Sequence, residues 1–220
     1  MSSRQEEKEQ RKRERLEREA AEKKAAQRKR LVQIIGGVVV GAAVVIGAVL
    51  ALAGGGKDKA RDTTDMTTAA KAAGCVVRSF PNEGQTHVTK ELKASDFKTN
   101  PPTSGNHNIT PAQDGLYAPG NEPKIQNWVH TLEHGRIIFM YKPGTPAATI
   151  SQLQTLFNGK ALGKPAYHSV LMQNNTDMPF AVAAVAWRHY LGCEKFSAQA
   201  ITAMSDFRDV YIDTAPEQIP

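Results

Sequence analysis

The chain predicts an α+β domain with a small, mostly antiparallel sheet and about two packed helices, preceded by one transmembrane helix and a charged N-terminal helix. Three observations predict it. Leu31 to Ala53 is a run of 23 residues with no charge and a single polar side chain, Gln33. Beyond it, apolar periodicity reads in the order strand, helix, strand, strand, helix, the pattern of a small α+β domain. Two cysteines, Cys75 and Cys193, stand near the two ends of that second part.

The arm, residues 1–30, holds twelve of the chain's 28 Lys and Arg and seven of its 22 Asp and Glu. Glu7 and Arg11, Glu9 and Arg13, Glu14 and Arg18, and Glu19 and Lys23 are Glu-to-cation pairs at i,i+4, the favourable order on a helix. Leu16 is its only large aliphatic residue apart from Met1, so the arm has no stripe to bury. It reads as a solvated helix; a disordered tail is the alternative.

At about 1.5 Å per residue, residues 31–53 cross the roughly 30 Å hydrocarbon core once as a helix. The cationic arm before the span and the sparsely charged Gly54-Gly55-Gly56-Lys57 after it keep the N-terminus in the cytoplasm and export the rest. The expected location is the plasma membrane with an extracytoplasmic C-terminal domain. The expected partners are the bilayer itself and, for the basic arm, anionic inner-leaflet lipids, worth about 1 kcal/mol per basic residue. Ala51-Leu52-Ala53 resembles a signal-peptide cleavage site, but the apolar run and the arm are both too long for one. Outside the arm, 16 cations face 15 anions, which excludes a nucleic-acid footprint.

Residues 54–73 are small, polar and charged and read as a flexible linker. Residues 74–220 make one exported domain without internal repeats. Within it, Arg136 to Tyr141 reads as a buried strand, and Thr149 to Phe157 as a helix with a Thr149-x-x-Gln152 capping box. Tyr167 to Met172 and Phe180 to Tyr190 read as two strands turning at Asn174-Asn175. Ser197 to Tyr211 carries Ala200, Ile201, Met204, Phe207 and Tyr211 on one helix face. Lys98 to Asn127 holds five Pro and three Gly with no period, and a loop that long in a compact domain is usually functional or disordered.

In an oxidising compartment Cys75 and Cys193 are expected to be bridged; a metal thiolate pair and two free thiols are the alternatives. Neither belongs to a C-x-x-C pair, which argues against redox activity.

The chemistry gathers at histidine. On a helical turn His130, Glu133 and His134 share one face and converge on one ion, whereas on a strand the two rings lie about 13 Å apart. Gly135 suits a helix ending in a left-handed residue, which favours convergence. The H-x-x-E-H order also matches the inverted zincins, in which Glu is the base, although a strand follows too soon for their longer helix. His107, on the proline-stiffened Pro101 to His107 turn, and His87 are the candidate further ligands. Ser104 and Trp128 read as support for this loop and turn, and a Ser104/His nucleophile pair lacks a recognisable elbow or Asp. His168 and His189 read as sheet residues, and Met140 and Met172 as core, although thioethers suit Cu(I).

Asn100 to His107 (NPPTSGNH), Gly115 to Pro119 (GLYAP) and Trp128 to Gly144 (WVHTLEHGRIIFMYKPG) together resemble the family known as domain of unknown function 3105, found in bacterial membrane-anchored proteins. The resemblance spans about residues 74 to 215, with Gly74-Cys75, Thr86-His87-Val88, Ala186-Trp187 and the late Pro216-Glu217 also matching. It implies no activity. It does imply that His87, Ser104, His107, His130, Glu133 and His134 occupy the family's motif positions.

Three function classes follow. One is an envelope domain binding copper or zinc through His87, His107, His130 and His134. The second is a metal-dependent hydrolase with Glu133 as base and water in an open position. The third is a structural or partner-binding module without metal.

Overall fold

The computed structural model describes residues 62–217 and 219. The charged arm, the apolar span and the first part of the linker lie outside the described residues. Among those described, no helix is long and apolar enough to cross a membrane.

The first element is unexpected. Thr64–Ala72 forms helix α1 inside the stretch read as a flexible linker. Asp62 accepts from the Thr64 backbone N–H at its start, and Asp65 and Lys71 suit the two ends of its dipole. Met66 and Ala70, one turn apart, are buried in a cluster with Ala200, Ala203, Met204 and Phe207. Those partners lie more than a hundred residues on, so the local sequence carried no signal of the packing.

After α1, Cys75–Ser79 is β1, Gly115–Leu116 is β2, Ile125–Glu133 is helix α2 and Ile137–Tyr141 is β3. Helix α3, Ala147–Asn158, precedes a short hairpin of β4, Lys160–Ala161, and β5, Lys164–Pro165. Ser169–Gln173 is β6, Val182–Ala186 is β7, His189–Cys193 is β8 and Ala198–Tyr211 is helix α4.

The fold is α+β as expected, but with four α-helices among the described residues rather than about two, and a mixed sheet. Its order is β1-β8-β7-β3-β6-β2. The pairings β1–β8, β8–β7 and β7–β3 are antiparallel, while β3–β6 and β6–β2 are parallel. All five residues of β3 are buried, as a central strand covered on both faces requires. Ile137, Phe139 and Tyr141 belong to the cluster formed with α1, α3 and α4. Ile138 and Met140 belong to the opposite one, with Trp128, Val129 and Leu132 of α2. Met172 joins that second cluster, so both Met140 and Met172 are fully buried core residues.

Two further readings are corrected. Phe180 to Tyr190 is not one strand: the chain reverses at Trp187-Arg188, so that Ala186 pairs with His189. Arg188 takes a positive φ of 66°, and its backbone N–H donates to Thr103 O while Phe80 N–H donates to Arg188 O. Tertiary bonds thus hold a turn that has no Gly, Asn or Asp to announce it. Helix α3 begins at Ala147 behind Pro146 with no side-chain cap, so Thr149 lies within the first turn and forms no capping box. Ser197, by contrast, caps α4 by accepting from the Ala200 N–H.

Cys75 and Cys193 form a disulfide with Cα atoms 4.2 Å apart. They sit directly opposite each other in the β1–β8 pairing, which is what brings them within reach.

Candidate metal centre

Helix α2 ends at Glu133, with His134 as its C-cap and Gly135 at φ +80°. A Cβ on Gly135 would stand 2.8 Å from Asp213 Cα, so both conformation and space demand glycine here. The last turn of α2 therefore presents His130, Glu133 and His134 on one side, as their spacing implied. The helix is buried nearly all round, because the Pro-rich stretch folds over it. Asn108 N–H donates to Gln126 O, Asn127 Nδ2 to Thr110 O and Thr131 Oγ1 to Ala112 O.

That docking brings His107 to α2. Gly105, at φ +131°, turns the chain where a Cβ would press to 2.9 Å from the Phe97 ring. Ser104, fully buried, accepts from the Glu83 N–H and so ties the turn to the segment carrying His87. His87 and His107 then form an isolated parallel bridge, with Val88 N–H donating to His107 O and His107 N–H to Thr86 O. Three separate segments thus deliver three imidazoles. Ring centroids lie 5.0 Å apart for His87 and His107, 4.7 Å for His87 and His130, and 4.6 Å for His107 and His130.

One potential ligand atom from each of His87, His107, His130 and Glu133 lies within 4.8 Å of the other three. Around a tetrahedral ion with bonds of about 2.0–2.1 Å, ligand atoms sit about 3.3 Å apart, so modest contraction closes the set. The ring orientations suit this. His107 Nδ1 bonds to Gly105 O at 2.8 Å and His130 Nδ1 to Asn108 O at 2.7 Å. A carbonyl oxygen only accepts, so each Nδ1 carries the proton and each Nε2 keeps its lone pair. This is the outer support usual for metal-binding histidines.

His107 Nε2 lies 2.9 Å from Glu133 Oε2, an ion-pair distance, with both side chains buried. The charges do not follow. Burial lowers the His107 pKa and, with Glu217 nearby, pushes Glu133 up to about 7, so both groups are driven toward their neutral forms. Nor does His107 Nε2 have a hydrogen bond of acceptable geometry to any atom among the described residues. Two buried acceptors facing each other require a proton or a cation between them. Burial likewise lowers the pKa of His130 and His134.

His134 points elsewhere. Its ring lies 4.4 Å from that of His130, and its Nε2 is 3.3 Å from Glu217 Oε2. Donor atoms of His130, His134 and Glu217 form a second set within 4.8 Å. Glu133, read both as converging with His130 and His134 on one ion and as a base, thus joins the three-histidine set, and His134, read as the fourth ligand of that set, belongs to a neighbouring one. Glu217 was not foreseen as a donor: it arrives on the C-terminal segment, pinned by Asp213 N–H to Gly135 O and Glu217 N–H to Glu133 O. No spacing rule links it to His134.

The other candidates stay apart from this cluster. Trp128 is fully buried and donates from Nε1 to Asn175 Oδ1, anchoring α2. His168 precedes β6 with φ 44°, stacked 3.7 Å from Tyr167 and bonded to Asp213. His189 opens β8, bonds to Ser79 and stacks on Tyr211 at 4.1 Å. Burial and the Arg188 charge hold His189 down at about 4. Unfolded, it protonates near 6.5. Its contribution to stability is therefore present above about pH 6.5 and lost as pH falls toward 4. His189→Gln is expected to lessen the drop in urea midpoint between pH 7.5 and 4.5; an unchanged drop would remove His189 from the account.

A family model described as protein of unknown function (DUF3105) matches residues 87–218, a span that opens on His87 and takes in every donor named above. No curated protein and no solved structure matches the chain.

Proposed function

Because the chain belongs to the DUF3105 family, whose description carries no activity, its function has to be argued from the site, and we propose that it binds one zinc ion through His87, His107, His130 and Glu133. The observation that carries this reading is the convergence of three imidazoles and a carboxylate, with potential ligand atoms within 4.8 Å of one another, around the buried His107 Nε2, which has no hydrogen bond among the described residues. Three imidazoles and a carboxylate, with no thiolate or thioether among them, suit Zn(II) better than Cu(I). Four protein donors fill a tetrahedral ion. The site is then one for holding metal rather than for activating water.

A second reading keeps the same histidines as three ligands and frees Glu133 as a general base. Its support is the pKa of about 7 at Glu133 and the exposure of His87, which leaves the ion reachable from solvent. Glu133→Gln separates the two. If Glu133 is a ligand, the substitution weakens zinc binding by about tenfold or more. Unchanged zinc affinity with loss of hydrolytic turnover would favour the base.

We place this centre outside the cytoplasmic membrane, tethered by the apolar run and oriented by the basic arm. The Cys75–Cys193 disulfide supports this, since such bonds persist in oxidising compartments. A phosphatase reporter that folds only outside the cytoplasm is expected to be active when fused after Pro220 and inactive within residues 1–30. The opposite pattern would reverse the topology.

A further inference from the structure

We infer that the centre is a two-position relay, in which a single ion moves between the His87, His107, His130 and Glu133 set and a second set formed by His130, His134 and Glu217. This rests on the zinc-binding reading. Each set has its potential ligand atoms within 4.8 Å, and His130 belongs to both. Its Nδ1 is committed to Asn108 O at 2.7 Å, leaving only the Nε2 lone pair. A neutral imidazole gives that lone pair to one ion at a time. The two positions are therefore alternatives for one ion rather than homes for two.

The row has solvent at both ends. His87 is exposed at one and Glu217 at the other, while His107, His130, Glu133 and His134 between them are buried. Neighbouring steps are short: 4.7 Å between the rings of His87 and His130, 4.4 Å between those of His130 and His134, and 3.3 Å from His134 Nε2 to Glu217 Oε2. Because one donor is kept at each move, an ion passes along without ever being bare in a buried space, which would be costly. A site open at two ends fits a carrier that accepts an ion on one side and yields it on the other.

The test uses the untagged full chain, Zn(II) and a coloured chelator. Wild type is expected to bind one zinc per chain. Glu217→Gln and His134→Gln are each expected to slow transfer to the chelator by about tenfold, the scale on which losing one group alters a metal site. The equilibrium affinity, measured by competition, should change less than the transfer rate. Co(II) absorption of each variant reports whether the first set still forms, so a misfolded variant is recognised. Glu217→Asp, which keeps the carboxylate, should restore part of the rate. Two zinc ions per chain, or transfer rates equal to wild type, would overturn the relay while leaving zinc binding in place. A wild-type chain that takes no zinc overturns both readings.

Discussion

His130→Ala is expected to abolish zinc retention by the purified, untagged chain, while His189→Gln leaves about one ion per chain, as metal analysis after gel filtration would show. His130 is the only donor shared by both sets, so its loss leaves neither with its full complement. The wild-type ion should also stabilise the fold: at a thousandfold excess over the dissociation constant, binding adds about 4 kcal/mol, and His130→Ala forfeits it. The pH dependence has a defined sign. Without an ion, Glu133 keeps its proton up to about pH 7, whereas a bound ion needs the carboxylate. Below pH 7 binding therefore expels that proton, and apparent affinity should fall about tenfold per pH unit. Through the same group, the ion-free fold loses stability as pH rises through 7, the opposite of the His189 effect. Retention of zinc by His130→Ala would sink the assignment, as would an affinity independent of pH between 5 and 7.

Cys75→Ser is expected to lower stability by about 4–5 kcal/mol in the chain-entropy model, since the bond closes a loop with a sequence separation of 118. Against a typical domain stability of about 5–15 kcal/mol, that is enough to bring thermal unfolding down by many degrees. Reduced wild type should melt with the variant. Alkylation of the denatured, unreduced protein should label no cysteine. Two reactive thiols, or equal melting temperatures, would contradict the bridge.

How much of this was legible in the sequence depended on distance along the chain. The turn carrying His130, Glu133 and His134 was readable because spacing and Gly135 act within one helical turn. Helix α4 was readable from its apolar face, and β3 from its continuous apolar run. Helix α1 was not, because Met66 and Ala70 find their partners on α4. The β7–β8 reversal was hidden because Thr103 and Phe80, far away in sequence, hold Arg188 in place of turn residues. At the site, histidine content marked the donors, but which ones meet was decided by the bridge between His87 and His107 and by the return of the C-terminal segment to Glu133. That is why Glu133 meets His87 and His107 while His134 faces Glu217, and why no spacing marked Glu217, matched only within the late Pro216-Glu217 pair, as a donor.

The place of Cys75 has a mechanical consequence. It is the first residue of β1, directly after the helix through which any pull on the N-terminal chain must arrive, and it is bonded to Cys193 at the end of β8. Hydrogen bonds of an edge strand would otherwise be the first to carry such a load. With the disulfide, tension passes covalently from Cys75 into β8, which lies between β1 and β7 in the sheet. Helix α1 can be peeled from α4 without β1 unzipping behind it. Load entering from the N-terminal side therefore stops at one covalent crosslink, and the histidine cluster, which uses no residue of α1, β1 or β8, keeps its geometry while that end is under strain.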